Sequence, residues 1–200
     1  METIIEKEQN SASYTRQNKR KPIVLLDSSY LLNELLDRRK TADFLDVCHY
    51  IKNVSNAHII FLKPISDETK YISRNHSHNP QVKEGFEILG TIKLHQPYLE
   101  GDQEEIFGIL VKNITEKANG LALRMGKLPL SEIDTGYCVH AIMLSKKRDV
   151  IAATRDSLIK KTLENLWPIV SQAFIKLKYP STNLYFAEDI QSLEVLLSTY

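Results

Sequence analysis

Apolar and polar positions alternate in blocks along the chain, and the blocks predict buried strands separated by amphipathic helices. Ile23 to Leu26 (IVLL) is a continuous apolar run, as expected of a parallel strand buried on both faces. Tyr30 to Arg38 predicts a helix with Leu31, Leu32, Leu35 and Leu36 on one face. A second helix, Ala42 to Lys52, follows Thr41, which suits an N-cap. His58 to Leu62 (HIIFL) is the second strand. Pro64 and Ser66 open another helix, which ends near the polar stretch Arg74 to Pro80. From Val82 to Arg124 the pattern is mostly helical, without a strand signal, and broken at Gly101 and Asp102.

Gly126 and Pro129 mark a turn, and Ser131 to Lys147 predicts a clear helix. After Asp149, Val150 to Ala153 is a third buried strand, leading through Thr154-Arg155-Asp156 into a helix from Ser157 to Asn165. Phe174 to Leu177 fits a further strand. Strands alternating with helices imply an α/β sandwich built on a parallel sheet. Residues 1–21 read as a mobile polar tail ending in Lys19, Arg20 and Lys21. Residues 22–180 read as the domain, with a helical insert around 82–125, and residues 181–200 as a C-terminal segment that docks on it.

Composition narrows the picture. Two hundred residues, 42% of them hydrophobic, suit one α/β domain with a substantial core. Twenty-six basic residues against 25 acidic ones leave a formal charge of +1, so any contact with nucleic acid rests on local patches. Cys48 and Cys138 are far apart without C-x-x-C spacing, and read as small core hydrophobes in a reducing compartment. No apolar run approaches the roughly 18 residues of a membrane span, and residues 1–21 carry no apolar signal-peptide core. The default expectation is a cytoplasmic protein without a membrane contact.

Placed on the predicted elements, the acids become informative, because open α/β sheets bind ligands beyond the carboxyl ends of their strands. Asp27 ends the first strand and Asp156 lies three residues past the third. Glu68 follows the second strand in the first turn of its helix, and Asp134 sits in the first turn of the helix before the third strand. Four carboxylates on one edge repel one another, and a hard divalent cation, Mg²⁺ or Mn²⁺, is the usual resolution. Such an ion can activate water, orient a phosphodiester and neutralise charge. Asp149 falls at the opposite, amino end of its strand and is excluded.

Three blocks, IVLLDSSYLL, LPLSEIDTGYCVHAI and DVIAATRDSLI, resemble the signature blocks of PIN domains, the metal-dependent nucleases that include VapC-like toxins and ribosomal RNA processing endonucleases. The resemblance covers roughly residues 22–165 and implies a three-layer α/β/α sandwich. It implies a metal-dependent endoribonuclease that leaves a 5′-phosphate and a 3′-hydroxyl. Carried over, Asp27, Asp134 and Asp156 would hold Mg²⁺ or Mn²⁺, with Glu68 as the fourth acid; Asp67 and Glu84 compete for that place. Ser29 and Thr154 would be the hydroxyls that orient the acids or a metal water. RNA would be the substrate, an antitoxin or another protein a partner, and a homodimer the assembly that toxin-type members often form.

The same residues admit plainer roles. Asp27 can cap the following helix, Asp156 can open the last one, and Glu68 can be a solvated helix acid. Ser131 to Asp134 fits the capping-box pattern, which would turn Asp134 toward a backbone N–H. Thr154 can be an ordinary strand-end residue. His76 and His78 form an H-x-H without a third ligand nearby, and His140 reads as packing or surface. Arg155 and the Arg38-Arg39-Lys40 cluster could contact phosphates, while Lys146-Lys147-Arg148 and Lys160-Lys161 read as solvated faces. An alternative function is a PIN-like RNA-binding or assembly module that does not cut. A phosphatase or receiver domain fits less well, since Ser29 stands where a haloacid-type phosphatase wants a second Asp, and no P-loop or G-x-G-x-x-G is present.

Overall fold

The computed structural model describes residues 20–36, 41–74, 78–92, 94–95 and 102–200. The tail through Lys19, the Arg38 cluster, His76 and Gly101 lie outside the described residues, as do the side chains of Leu35 and Leu36. In chain order the elements are β1 (Ile23–Leu26), α1 (Ser28–Leu36), α2 (Thr41–Asn53), β2 (His58–Leu62), α3 (Lys63–Ser73), α4 (Pro80–Gly90), β3 (Leu94–His95), α5 (Asp102–Met125), α6 (Glu132–Ser145), β4 (Val150–Ala153), α7 (Ser157–Lys176), β5 (Leu184–Ala187) and α8 (Ile190–Leu197).

The strands form one all-parallel sheet in the order β3-β2-β1-β4-β5. Helices cover it to give the three-layer α/β/α sandwich that the alternation predicts. Leu26 pairs with Phe61 on one side and Ala153 on the other, so β1 and β4 end level and β2 runs one residue further, to Leu62. β1 and β4 are buried throughout, which explains their unbroken apolar runs. The chain winds outward from β1 through β2 to β3, then returns to β1's other side as β4. The strand order therefore reverses at the β1/β4 boundary, where the diverging connections open a crevice beyond the carboxyl ends.

Helices α1 to α4 pack against one another, as do α5 to α7. The α2–α4 contact is tight at Gly85. A Cβ there would stand 3.0 Å from Phe44 Cδ1, closer still to Cε1, and 3.2 Å from Cys48 Sγ, all in the core. Gly85→Ala is therefore expected to destabilise by about 1–3 kcal/mol through overpacking, against a helix-propensity gain of at most about 1. Gly90→Ala, five residues along the same helix with open space around the added methyl, is expected to be neutral or slightly stabilising. Urea-unfolding midpoints separate the two; equal midpoints would refute the close-packing account.

Three sequence expectations change. The final long helix does not stop at Asn165 but runs through Pro168 to Lys176, and the Phe174–Leu177 strand does not form. Proline removes one helical hydrogen bond, but Trp167, Val170 and Phe174 recur at helical spacing and pack on the core, which keeps the helix intact. Residues 181–200, expected to dock on the domain, complete its sheet: β5 pairs with β4 along four residues, and α8 packs on both. The stretch expected to be strandless contains β3, too short at two residues to leave a periodic signal.

Candidate active site

Asp27 follows the last residue of β1, and Thr154 follows the last residue of β4, so the parallel register sets them side by side. The Asp27 N–H donates to the Ala153 carbonyl at 3.0 Å, extending the ladder past both strand ends. Asp27 is only 1% exposed and Thr154 fully buried. Thr154 Oγ1 donates to Asp27 Oδ2 at 2.8 Å, and Ser29 Oγ donates to the same oxygen, with the Ser29 N–H at 3.3 Å. Ser29 Oγ in turn accepts from the N–H groups of Arg155 (3.0 Å) and Asp156 (3.2 Å), and Thr154 Oγ1 accepts from Asp156 N–H at 3.1 Å.

Each hydroxyl has one proton, and both protons go to Asp27. The 3.2 Å approach of Ser29 Oγ to Thr154 Oγ1 is then a contact between two acceptors. The loop 154–156 thus fixes two hydroxyls, and the hydroxyls fix one oxygen of Asp27. The other oxygen, Oδ1, is buried and has no hydrogen-bond partner among the described residues. Burial raises the Asp27 carboxyl from 3.8 to about 6; the bonds from Ser29 and Thr154 oppose the rise and the charge of Asp134 adds to it.

Asp134 and Asp156 take their helix-capping roles. Ser131 and Asp134 form the reciprocal capping box of α6: Asp134 Oδ2 accepts from Ser131 N–H (3.1 Å) and Oγ (2.7 Å), and Asp134 N–H donates back to Ser131 Oγ. Asp156 caps α7 through Oδ1, which accepts from Leu158 N–H at 2.6 Å and Ile159 N–H at 3.4 Å. Each cap occupies one oxygen of its carboxylate. Beneath the three acids lies Cys138, one turn after Asp134 on α6. Burial first, then the charges of Asp134, Asp27 and Asp156, push its thiol well above the usual range. Asp27, Asp134 and Asp156 therefore share one electrostatic neighbourhood.

Glu68 is not joined to that neighbourhood by any described contact. α3 begins at Lys63, so Glu68 lies in its second turn, not its first. Its Oε2 is buried without a hydrogen-bond partner among the described residues. Its competitors are surface groups: Asp67 pairs with Lys63 at 2.8 Å and Glu84 with His49 at 3.6 Å. Asp149, at the amino end of β4, accepts from Asn183 N–H and Tyr200 Oη, both at 2.6 Å, and is structural. His78 is exposed, and His140 is buried on α6 beside the Phe107 ring.

Two site residues carry no sequence signal. Tyr137, fully buried, donates from Oη to the Leu25 carbonyl at 2.9 Å and so anchors α6 beneath the strand end that carries Asp27; only its helical spacing from Asp134 hints at this. Lys127, in the turn before α6, donates to Ser157 Oγ at 2.7 Å and stands 3.7 Å from Asp156 Oδ1. It adds a cation beside the acids that no motif marks. Arg155 is held by the Glu188 carbonyl, which accepts from Nε at 2.5 Å.

Among the described residues, no three His, Cys, Asp or Glu side chains stand close enough to hold a metal ion between them. The donor chemistry nevertheless fits a hard divalent cation: the free valences are carboxylate oxygens, one of them buried and unpaired. Mg²⁺ in particular keeps several waters and takes only one or two carboxylates. No family model matches the sequence, no curated protein matches it, and no solved structure matches it. No described helix is long and apolar enough to cross a membrane.

Proposed function

We propose that the chain is a Mg²⁺- or Mn²⁺-dependent endoribonuclease of the PIN type, with Asp27 as its central metal ligand. The observation that carries this reading is the Asp27 carboxylate. It lies at the point where the strand order reverses, with one oxygen fixed by Ser29 and Thr154 and the other buried and unpaired. An orphaned buried acceptor costs about 1–3 kcal/mol, more when charged, and a bound cation removes that cost. When bound, the ion supplies water of lowered pKa and neutralises charge on the phosphate.

The chain's own groups do the rest. Ser29 and Thr154 aim Asp27, so that Oδ1 would meet an ion without a search through rotamers. Asp134 and Asp156 add negative potential and offer the oxygens their caps leave open. Lys127 and Arg155 hold the phosphodiester in place against this acidic field. Incubation of end-labelled single-stranded RNA with Mn²⁺ is expected to yield fragments with 5′-phosphate and 3′-hydroxyl ends, and none in EDTA. Metal-independent cleavage, or cyclic-phosphate ends, would overturn the reading.

A second reading has its own observation. No described contact joins Glu68 to the other acids, and no three-acid group is formed among the described residues. This favours a PIN-like module that binds RNA or a protein partner without cutting, and it predicts no fragments under any metal.

A further inference from the structure

Past Asp156 the crevice continues into a cleft of about 230 Å³ along the first turns of α7, lined by Arg155, Ser157, Lys160, Lys161 and Glu188 among others. By sequence alone, Lys160 and Lys161 read as a solvated face. In the fold, Lys160 points across the cleft to the β5–α8 junction, where its Nζ meets Glu188 Oε1 at 2.5 Å, with Glu164 Oε1 at 4.0 Å. The Glu188 backbone is tied on both sides: its carbonyl accepts from Arg155 Nε and its N–H donates to Ser192 Oγ at 3.0 Å. Its side chain, by contrast, is 55% exposed.

We propose that this cleft seats a backbone phosphate adjacent to the scissile one, with Lys160 as its cationic contact, and that the Glu188 carboxylate holds that place in the free protein. The proposal rests on the ribonuclease reading and names a second point of grip on the RNA. A carboxylate and a phosphate present equivalent acceptor oxygens to an ammonium donor. Both partners of the Lys160–Glu188 pair are partly solvent-exposed, so the pair is weak and readily exchanged. A phosphate gains in addition from release of the counterions condensed on the nucleic acid. Lys160 follows the Asp156 cap on the same helix, so a strand lying across the acids is led directly into the cleft.

The test is binding of a fluorescent single-stranded oligoribonucleotide in EDTA, read by anisotropy at several salt concentrations, with unfolding midpoints confirming that each variant is folded. Glu188→Gln is expected to bind about 3–10-fold tighter. Lys160→Ala is expected to bind about 3–10-fold weaker, with a salt slope reduced by about one. In the Lys160→Ala background, Glu188→Gln is expected to gain nothing, and Glu87→Gln, the same charge change on α4, is expected to match the unaltered protein. Unchanged affinity in Glu188→Gln, a gain that persists without Lys160, or no RNA binding by either protein at low salt overturns the proposal. No chemistry occurs in EDTA, so failure here leaves the cleavage reading to its own test. A chain that never cuts but shows the Glu188–Lys160 coupling loses the cleavage reading and keeps the seat.

Discussion

Asp27→Asn is expected to abolish cleavage while making the protein more stable. On activity, under the ribonuclease reading, the substitution removes the carboxylate whose unpaired oxygen would meet the metal ion. Loss of several kcal/mol of transition-state charge stabilisation corresponds to a fall of at least about 10³ in rate. On stability, the sign follows from the direction of the Asp27 shift. Its carboxyl is raised from 3.8 to about 6 by burial, so the folded state favours the protonated form. The native state therefore loses stability as pH rises from about 4 to about 6, and by pH 7 the ionised carboxylate costs about 3 kcal/mol. Asparagine keeps the shape and an acceptor for Ser29 and Thr154 but never ionises. Its melting temperature is expected to exceed that of the unaltered protein by several degrees at pH 7.5, with the difference shrinking toward pH 5. Thermal scans across that range, alongside a cleavage assay, check both halves. A variant that still cuts, or one that melts lower at pH 7.5, would remove Asp27 from the centre of the site.

The second large effect expected is stabilisation by Mn²⁺ in the absence of RNA. An ion that binds only the native state raises stability by RT ln(1 + [Mn²⁺]/Kd), about 2.7 kcal/mol at a hundredfold excess over Kd, or roughly 5–10 °C in a domain of this size. The shift is expected to vanish in Asp27→Asn. It is expected to survive in Glu68→Gln, because no described contact brings Glu68 to the other acids. Equal shifts in all three proteins would place the ion elsewhere; loss in Glu68→Gln would bring that residue into the site. The measurement needs no substrate, so it separates ion binding from catalysis.

What could be read from the sequence was what a contiguous run of residues encodes. β1 and β4 announced themselves because strands buried on both faces are continuous apolar words, β2 because its run HIIFL is apolar after one residue, and Asp27, Asp134 and Asp156 because each stands at a fixed offset from an element boundary. The capping role of Asp134 was also visible, since a capping box is local by construction. What was not visible depends on partners distant in sequence. β5 lies in a segment whose strand character comes from β4, and Phe174–Leu177 looked extended only until Trp167 and Val170 showed the helical face it continues. Lys127 reaches the site by crossing to Ser157, 30 positions away, and nothing in its neighbours records that. Glu68 shows the converse: its position after a strand suggested the first turn of a helix, and the start of α3 at Lys63 puts it in the second.

The bond from Thr154 to Asp27 spans 127 positions. Parallel pairings between such remote segments are slow to form, because the chain must close a long loop before the contact rewards it. A folding intermediate holding β1, α1 and β2 would carry Asp27 with neither Thr154 to aim it nor Asp156 to share its field. The Asp27–Thr154 bond therefore waits on the docking of β4 against β1. Under the ribonuclease reading, a site divided in this way would stay silent until β4 docks, and opening of the β1/β4 seam would undo it.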